Sequence, residues 1–130
     1  MAASQSVRQK RKAQTRGRLA EIAAAILLSL KGYRILAWRF RCPVGEIDLI
    51  ARRFGTVVFV EVKARRDMEA AAHAISNRQQ ARIIRAAEYW SMHHEAAARG
   101  DWRFDVVLVG AAMWCRHIKH AFTADAVLGH

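Results

Sequence analysis

Asp48, together with the acid and lysine of Glu61-Val62-Lys63, are the residues of this chain best suited to chemistry. Two carboxylates brought close together repel, and protonation, a neighbouring cation or a metal ion relieves the cost. Mg²⁺ takes oxygen ligands and binds through one or two carboxylates while keeping waters and substrate phosphate. Mg²⁺ or Mn²⁺ held there would polarise a phosphodiester and acidify a bound water. A lysine beside it would orient that water or offset the charge that develops on phosphorus. The reaction these residues suit is phosphodiester hydrolysis.

Their convergence depends on a hairpin. Glu46 to Arg53 and Thr56 to Lys63 read as strands joined at Phe54-Gly55. A two-residue loop there sets Asp48 opposite Glu61, and Glu46 opposite Lys63. Directly opposed residues share a face, with Cβ atoms roughly 4.5–5.5 Å apart. Alternation then sends Ile47, Leu49 and Ala51 to the other face with Val58, Val60 and Val62. A one-residue bulge would shift this pairing. The ordinary reading of the same residues is a solvated cross-strand Glu–Lys pair. Against it, Ile50, Val57 and Phe59 continue the acidic face, and charge beside an apolar surface is costly unless it serves something.

The surrounding elements follow from periodicity. A helix is predicted from about Thr15 to Leu30, with Leu19, Ile22, Ala23, Ile26, Leu27 and Leu30 at helical spacing and Lys31-Gly32 closing it. Tyr33 to Phe40 reads as a strand before the hairpin. A second helix is expected over roughly Asn77 to Arg99, capped by Ser76 or Asn77, with Ile83, Ile84, Ala87 and Trp90 as its apolar stripe. Arg103 to Val109 and Trp114 to Phe122 read as further strands, the last with room for a short helical end. The order αβββαββ, with Val-rich central strands, implies an α/β domain: a mixed sheet flanked by helices.

At 130 residues the chain suits one domain with a real core. Twenty-two Lys and Arg against 11 Asp and Glu leave a net charge of +11, which points to a polyanionic partner. Arg8, Lys10, Arg11, Lys12, Arg16 and Arg18 all precede the first acid, Glu21. Residues 1–14 therefore read as a basic disordered tail, a nucleic-acid-binding arm, or both, with the folded domain at 15–130. Cys42 and Cys115 have no metal spacing and make no disulfide framework, which fits a reducing cytoplasm. The apolar run Ile22 to Leu30 is bordered by Glu21, is followed by no small-residue cleavage site, and is too short to span a bilayer. It reads as a core-facing helix, and no membrane association is expected.

Gly45-Glu46-Ile47-Asp48-Leu49-Ile50-Ala51, followed by Val58-Phe59-Val60-Glu61-Val62-Lys63, resembles the YraN-type family of predicted endonucleases. These are similar to archaeal Holliday-junction resolvases and carry the Asp…Glu-x-Lys signature of the restriction-endonuclease-like fold. The resemblance extends through Gly17-Arg18-Leu19-Ala20-Glu21, Gly32-Tyr33-Arg34-Ile35-Leu36, Gln80, Arg103-Phe104-Asp105-Val106-Val107 and Ala121-Phe122. It implies Asp48 and Glu61 as metal ligands and Lys63 as the catalytic lysine. Glu21 would be a further ligand brought by the first helix, or a helix-start acid favourable to the dipole. Gln80 would touch the scissile phosphate or water, or be an ordinary helical polar residue. Glu46 would stand behind the ligands or pair with Lys63. Gln79 lies where the family usually has lysine, so a cation is missing there. A homodimer is implied by the resemblance to resolvases.

Other residues carry weaker signals. Arg39, Arg41, Arg52, Arg53, Arg65 and Arg66 flank the hairpin and are expected to ring the site with charge that positions phosphates without reading bases. Asp105 is expected to organise Arg103 or a loop. His93-His94 and His117-x-x-His120 read as surface histidines, and Trp38, Trp90, Trp102 and Trp114 as core rather than base-stacking platforms. The leading expectation is a Mg²⁺-dependent endonuclease acting on DNA, with branched or flapped forms in view. The competing readings are a nucleic-acid-binding module of the same fold with little or no turnover, and a protein–protein adaptor.

Overall fold

A computed structural model describes residues 2–64 and 75–128. Helix α1 (Ala2–Leu30) precedes β1 (Arg34–Cys42), β2 (Gly45–Arg53) and β3 (Thr56–Ala64). Helix α2 (Asn77–His93), β4 (Asp101–Val109), a 3₁₀ turn (Ala111–Met113), β5 (Cys115–Phe122) and a short α3 (Ala124–Leu128) follow. The strands form one sheet in sequential order β1-β2-β3-β4-β5. β3 and β4 pair in parallel, whereas β1 with β2, β2 with β3 and β4 with β5 are antiparallel. A parallel neighbour needs a crossover, and α2 lies in that connection. This is the mixed, helix-flanked sheet of a restriction-endonuclease-like domain, in the expected order.

The central strands are apolar on both faces because both faces are covered. Ala20, Ala24, Ala25 and Leu28 of α1 pack with Leu49, Ala51, Val58, Val60 and Val107. On the opposite face Ile83, Ile84, Ala87 and Trp90 of α2 pack with Ile47, Ile50, Val57, Phe59 and Leu108. Ile47 thus departs from the expected alternation. It shares a core with Ile50 rather than with Leu49, so β2 changes phase at Asp48.

Helix α1 departs from expectation twice. It begins at Ala2, not Thr15, through a stretch of Ala, Gln, Lys and Arg that favours helix and has no proline. Val7 to Lys12 are exposed there, and Ala20 is the first buried side chain described in the helix. The larger apolar residues also face the wrong way for a core stripe: Leu19, Ile22, Ile26 and Leu30 are 48, 47, 56 and 83% exposed. The branched residues of the sheet already fill that face, and alanines let the helix backbone approach it closely.

Helix α2 starts as expected, with the Ser76 hydroxyl accepting from the Gln79 amide, but stops at His93 instead of Arg99. Arg52 draws the following chain away from the helix by donating to the carbonyls of Ala97 and Arg99 at 2.9 and 2.7 Å. Trp102 donates to the Ala98 carbonyl at 2.8 Å. The tryptophans divide: Trp90 is core and Trp102 packs edge-on to Phe59, while Trp38 and Trp114 are exposed. His117 is not a surface residue. Its Nε2 lies 2.7 Å from the buried Asp105 carboxylate, which also takes Arg103 through both oxygens at 2.8 Å, as expected of Asp105. Burial alone would raise the Asp105 carboxyl, but His117, Arg103 and the His120 amide outweigh it and hold it down to about 2. His93 and His94 are exposed and lie against carbonyls one turn back.

Candidate functional site

The turn pairs Arg53 with Thr56, and the ladder steps regularly to Leu49 opposite Val60. The two-residue loop at Phe54-Gly55 therefore gives the expected offset. Beyond Leu49 and Val60 the ladder stops, and a side chain replaces it: Asp48 Oδ2 accepts from the Val62 amide at 2.8 Å. On the other side, pairing with β1 steps from Trp38/Leu49 to Phe40/Ile47, passing over Arg39 and Asp48. Arg39 itself has φ 47°, a left-handed conformation rare for a non-glycine residue in a strand. The irregularity that puts Ile47 out of phase is thus the one that turns the Asp48 carboxylate toward β3.

Asp48 and Glu61 meet there. Burial and the neighbouring Asp48 charge push the Glu61 carboxyl up to about 8, against the pull of Lys63. The Asp48 carboxyl is also raised, chiefly by burial and further by the charge of Glu21, against the pull of the Val62 amide and Lys63. Lys63 Nζ lies 3.3 Å from Glu61 Oε1. Gln79 Nε2 donates to the same oxygen at 3.1 Å. One ammonium and two amides therefore face two carboxyls, one buried and one half-buried, and leave both raised. An oxygen-ligated divalent cation fits that donor set, with Asp48 and Glu61 as the groups that would hold it.

Other expected site residues lie at varied distances from this pair. Glu21 on α1 sends its field to Asp48, but its own carboxylate is bound by Arg39 at 2.5 Å. Among the described residues no group of three or more His, Cys, Asp or Glu is placed to hold a metal ion. Glu46 does not lie across from Lys63; it is exposed and pairs with Arg41 at 3.7 Å, because the β2–β3 ladder has ended before reaching it. Gln80 donates to the Ile75 carbonyl at 3.0 Å rather than to an acid. Arg39 and Arg41 line a hollow of about 280 Å³ with Gly17, Arg18, Glu21, Glu46 and Asp48. Arg52 and Arg53 sit at the turn end of the hairpin, away from the carboxyl pair. Arg53 donates to the Lys31 carbonyl and covers the Tyr33 ring at 4.4 Å. Both are committed to the fold and do not ring the site. Arg65 and Arg66 lie outside the described residues.

Gln79 is the contact that sequence reasoning missed. Its signal was local: Ser76-Asn77-Arg78-Gln79 has the form of a capping box, which puts Gln79 in the first turn with its side chain directed back past the helix start. Here the amide reaches Glu61 across to β3. Gly45 supports that approach, since a Cβ on it would stand 2.2 Å from the Arg82 carbonyl of α2. Only glycine lets β2 begin against the helix backbone.

Residues 20–109 match the uncharacterised protein family UPF0102. The chain belongs to that family. It is the YraN-type family whose motifs the sequence resembles. The relatives include a UPF0102 protein of Bradyrhizobium sp. (strain ORS 278), 56% identical over 109 residues that cover 84% of this chain and 77% of that one. Another, from Nitrobacter winogradskyi, is 50% identical over 109 residues, covering 84% of this chain and 92% of its own. A third, from Methylorubrum extorquens (strain PA1), is 48% identical over 118 residues and covers 91% of this chain and 92% of its own. Among the described residues, no helix is long and apolar enough to cross a membrane.

Proposed function

We propose that this protein is a divalent-metal-dependent endonuclease that hydrolyses DNA phosphodiester bonds, with branched forms as candidate substrates. The observation that carries it is the meeting of half-buried Asp48 with buried Glu61, both carboxyls raised, with Lys63 at 3.3 Å from Glu61. Burying two carboxyls against each other is unfavourable for a fold alone. Mg²⁺ or Mn²⁺, when bound, supplies a polarised phosphate and an acidified water. The chain's own groups do the rest. The Val62 amide fixes the Asp48 carboxylate, and Gln79 and Lys63 fix that of Glu61. Lys63, beside Glu61, could orient the attacking water or stabilise the charge that builds on the phosphoryl oxygens. Arg39 and Arg41 line the hollow beside Asp48, where a backbone phosphate would compete with Glu21 and Glu46 for them. Free Cys42 and Cys115 suit a reducing cytoplasm.

A second reading has its own support. Glu21 is bound by Arg39, and the described residues offer no third ligand beside Asp48 and Glu61. A nucleic-acid-binding module without turnover would tolerate that. Incubating the protein with branched and single-stranded DNA and Mg²⁺ or Mn²⁺, beside Asp48→Ala and Lys63→Ala, separates the two. Cutting should fall at least about a hundredfold in each variant while binding persists, the range expected for removing a group that stabilises the transition state. A parent protein that binds and never cuts, or variants that cut as well as the parent, would overturn the enzyme reading. A homodimer rests on the resemblance alone, and sedimentation would show it as twice 14.7 kDa.

A further inference from the structure

The carboxyl pair has a hollow on each side. The one toward α1, about 280 Å³, is lined by Arg18, Arg39 and Arg41 and reaches Asp48. A second, about 260 Å³, opens toward α2; Arg78, Gln79 and Arg82 line it, and it reaches Glu61. Glu46 borders both. The two are distinguished from ordinary surface by which cations are already spent. Arg39 is paired with Glu21 and Arg41 with Glu46. Arg18, Arg78 and Arg82 are exposed and have no carboxylate partner among the described residues. Arg78 and Arg82 are moreover four residues apart on α2, so they neighbour each other on one helix face and their like charges repel. An anion between them would relieve that repulsion. Neither residue belongs to the hairpin, and neither is expected to touch the site from the spacing of the strands.

We infer that Arg78 and Arg82 form a phosphate subsite on one side of the Asp48–Glu61 pair, with Arg18 serving the hollow on the other. This rests on the hydrolase reading for the position of the scissile bond between them. The consequence is a substrate class: a nucleic-acid strand held by phosphates both before and after the reacting one. An internal bond meets both subsites. A small phosphodiester such as bis(p-nitrophenyl) phosphate fills neither, so it should be a poor ligand and a poor substrate. The chemistry recognised is the phosphodiester backbone common to DNA and RNA.

The test measures binding rather than turnover. Fluorescein-labelled 12-nucleotide single strands, one of DNA and one of RNA in the same sequence, would be titrated by anisotropy across a salt series. Contacts to single strands contribute about 0.7 each to the slope of log affinity against log salt. Arg78→Ala/Arg82→Ala should weaken binding at least about tenfold and lower the slope by about 1.4. Arg18→Ala should lower it by about 0.7, and the triple variant should show the sum, since the hollows are separate. Arg34→Ala, exposed at the turn end of the sheet, should leave the slope unchanged. Circular dichroism would show each variant folded. Unchanged slopes in the α2 variant, an equal loss in Arg34→Ala, or a parent that binds neither strand would overturn the subsites. A parent that binds through them but cuts nothing would sink the hydrolase reading and not the subsites; one that cuts normally after loss of Arg78 and Arg82 would do the reverse.

Discussion

Glu61 is the residue whose environment departs furthest from the ordinary. With its carboxyl raised from 4.5 to about 8, the folded protein holds a proton that the unfolded chain releases. Stability from this group is therefore complete below about pH 4.5 and lost as pH rises to about 8. Without divalent metal, the midpoint of thermal unfolding should fall across that window and level off above it. Glu61→Gln, which cannot ionise, should remove most of the fall and leave only what the raised Asp48 carboxyl contributes. At the upper end Mg²⁺ should restore stability to the parent and not to the variant, because only the ionised pair offers a charged oxygen site. Equal pH profiles for parent and variant would show that the pair is not strained by its burial. Lys63 and Gln79 stand on the same oxygen, so each moderates the effect without abolishing it.

At the scale of elements, the site depends on where α2 sits against the start of β2. Gly45 sets that distance, and Gly45→Ala would drive a methyl into the Arg82 carbonyl. Overpacking of this kind costs about 1–3 kcal/mol, which urea denaturation would read directly. Displacing α2 also separates Gln79 from Glu61, so any DNA cleavage should fall more than the loss of stability accounts for. An alanine tolerated at full stability would mean that the helix shifts freely. The hairpin's offset was legible beforehand because a two-residue loop counts the same way wherever it occurs. The phase change at Asp48 was not legible. It arises where β1 carries a left-handed Arg39, and no alternation of residue types announces that.

Over the whole molecule, charge and burial separate along α1. The residues described from Val7 to Lys12 are exposed, and burial begins at Ala20. Removing residues 1–14 should therefore leave the unfolding midpoint nearly unchanged while weakening duplex binding. The slope of log affinity against log salt should drop by about 0.9 for each phosphate that the arm met. An unchanged slope would make the basic stretch a solvated extension only, and a large loss of stability would make it part of the fold. If the arm serves binding alone, cleavage of a saturated substrate should survive its removal.

What the sequence determined by itself was local: which segments are strands, the offset that a short turn imposes on the hairpin up to Leu49 and Val60, and where Ser76 begins a helix. Periodicity and turn geometry act between near neighbours and need no partner. Tertiary structure alone decided that alanines rather than Leu19 and Ile26 face the sheet. It also decided that Gln79 and not Gln80 reaches the acids, that His117 is buried on Asp105, and that Arg52 and Arg53 hold the fold instead of the site. Each of these depends on what another segment, far along the chain, already fills or leaves unpaired.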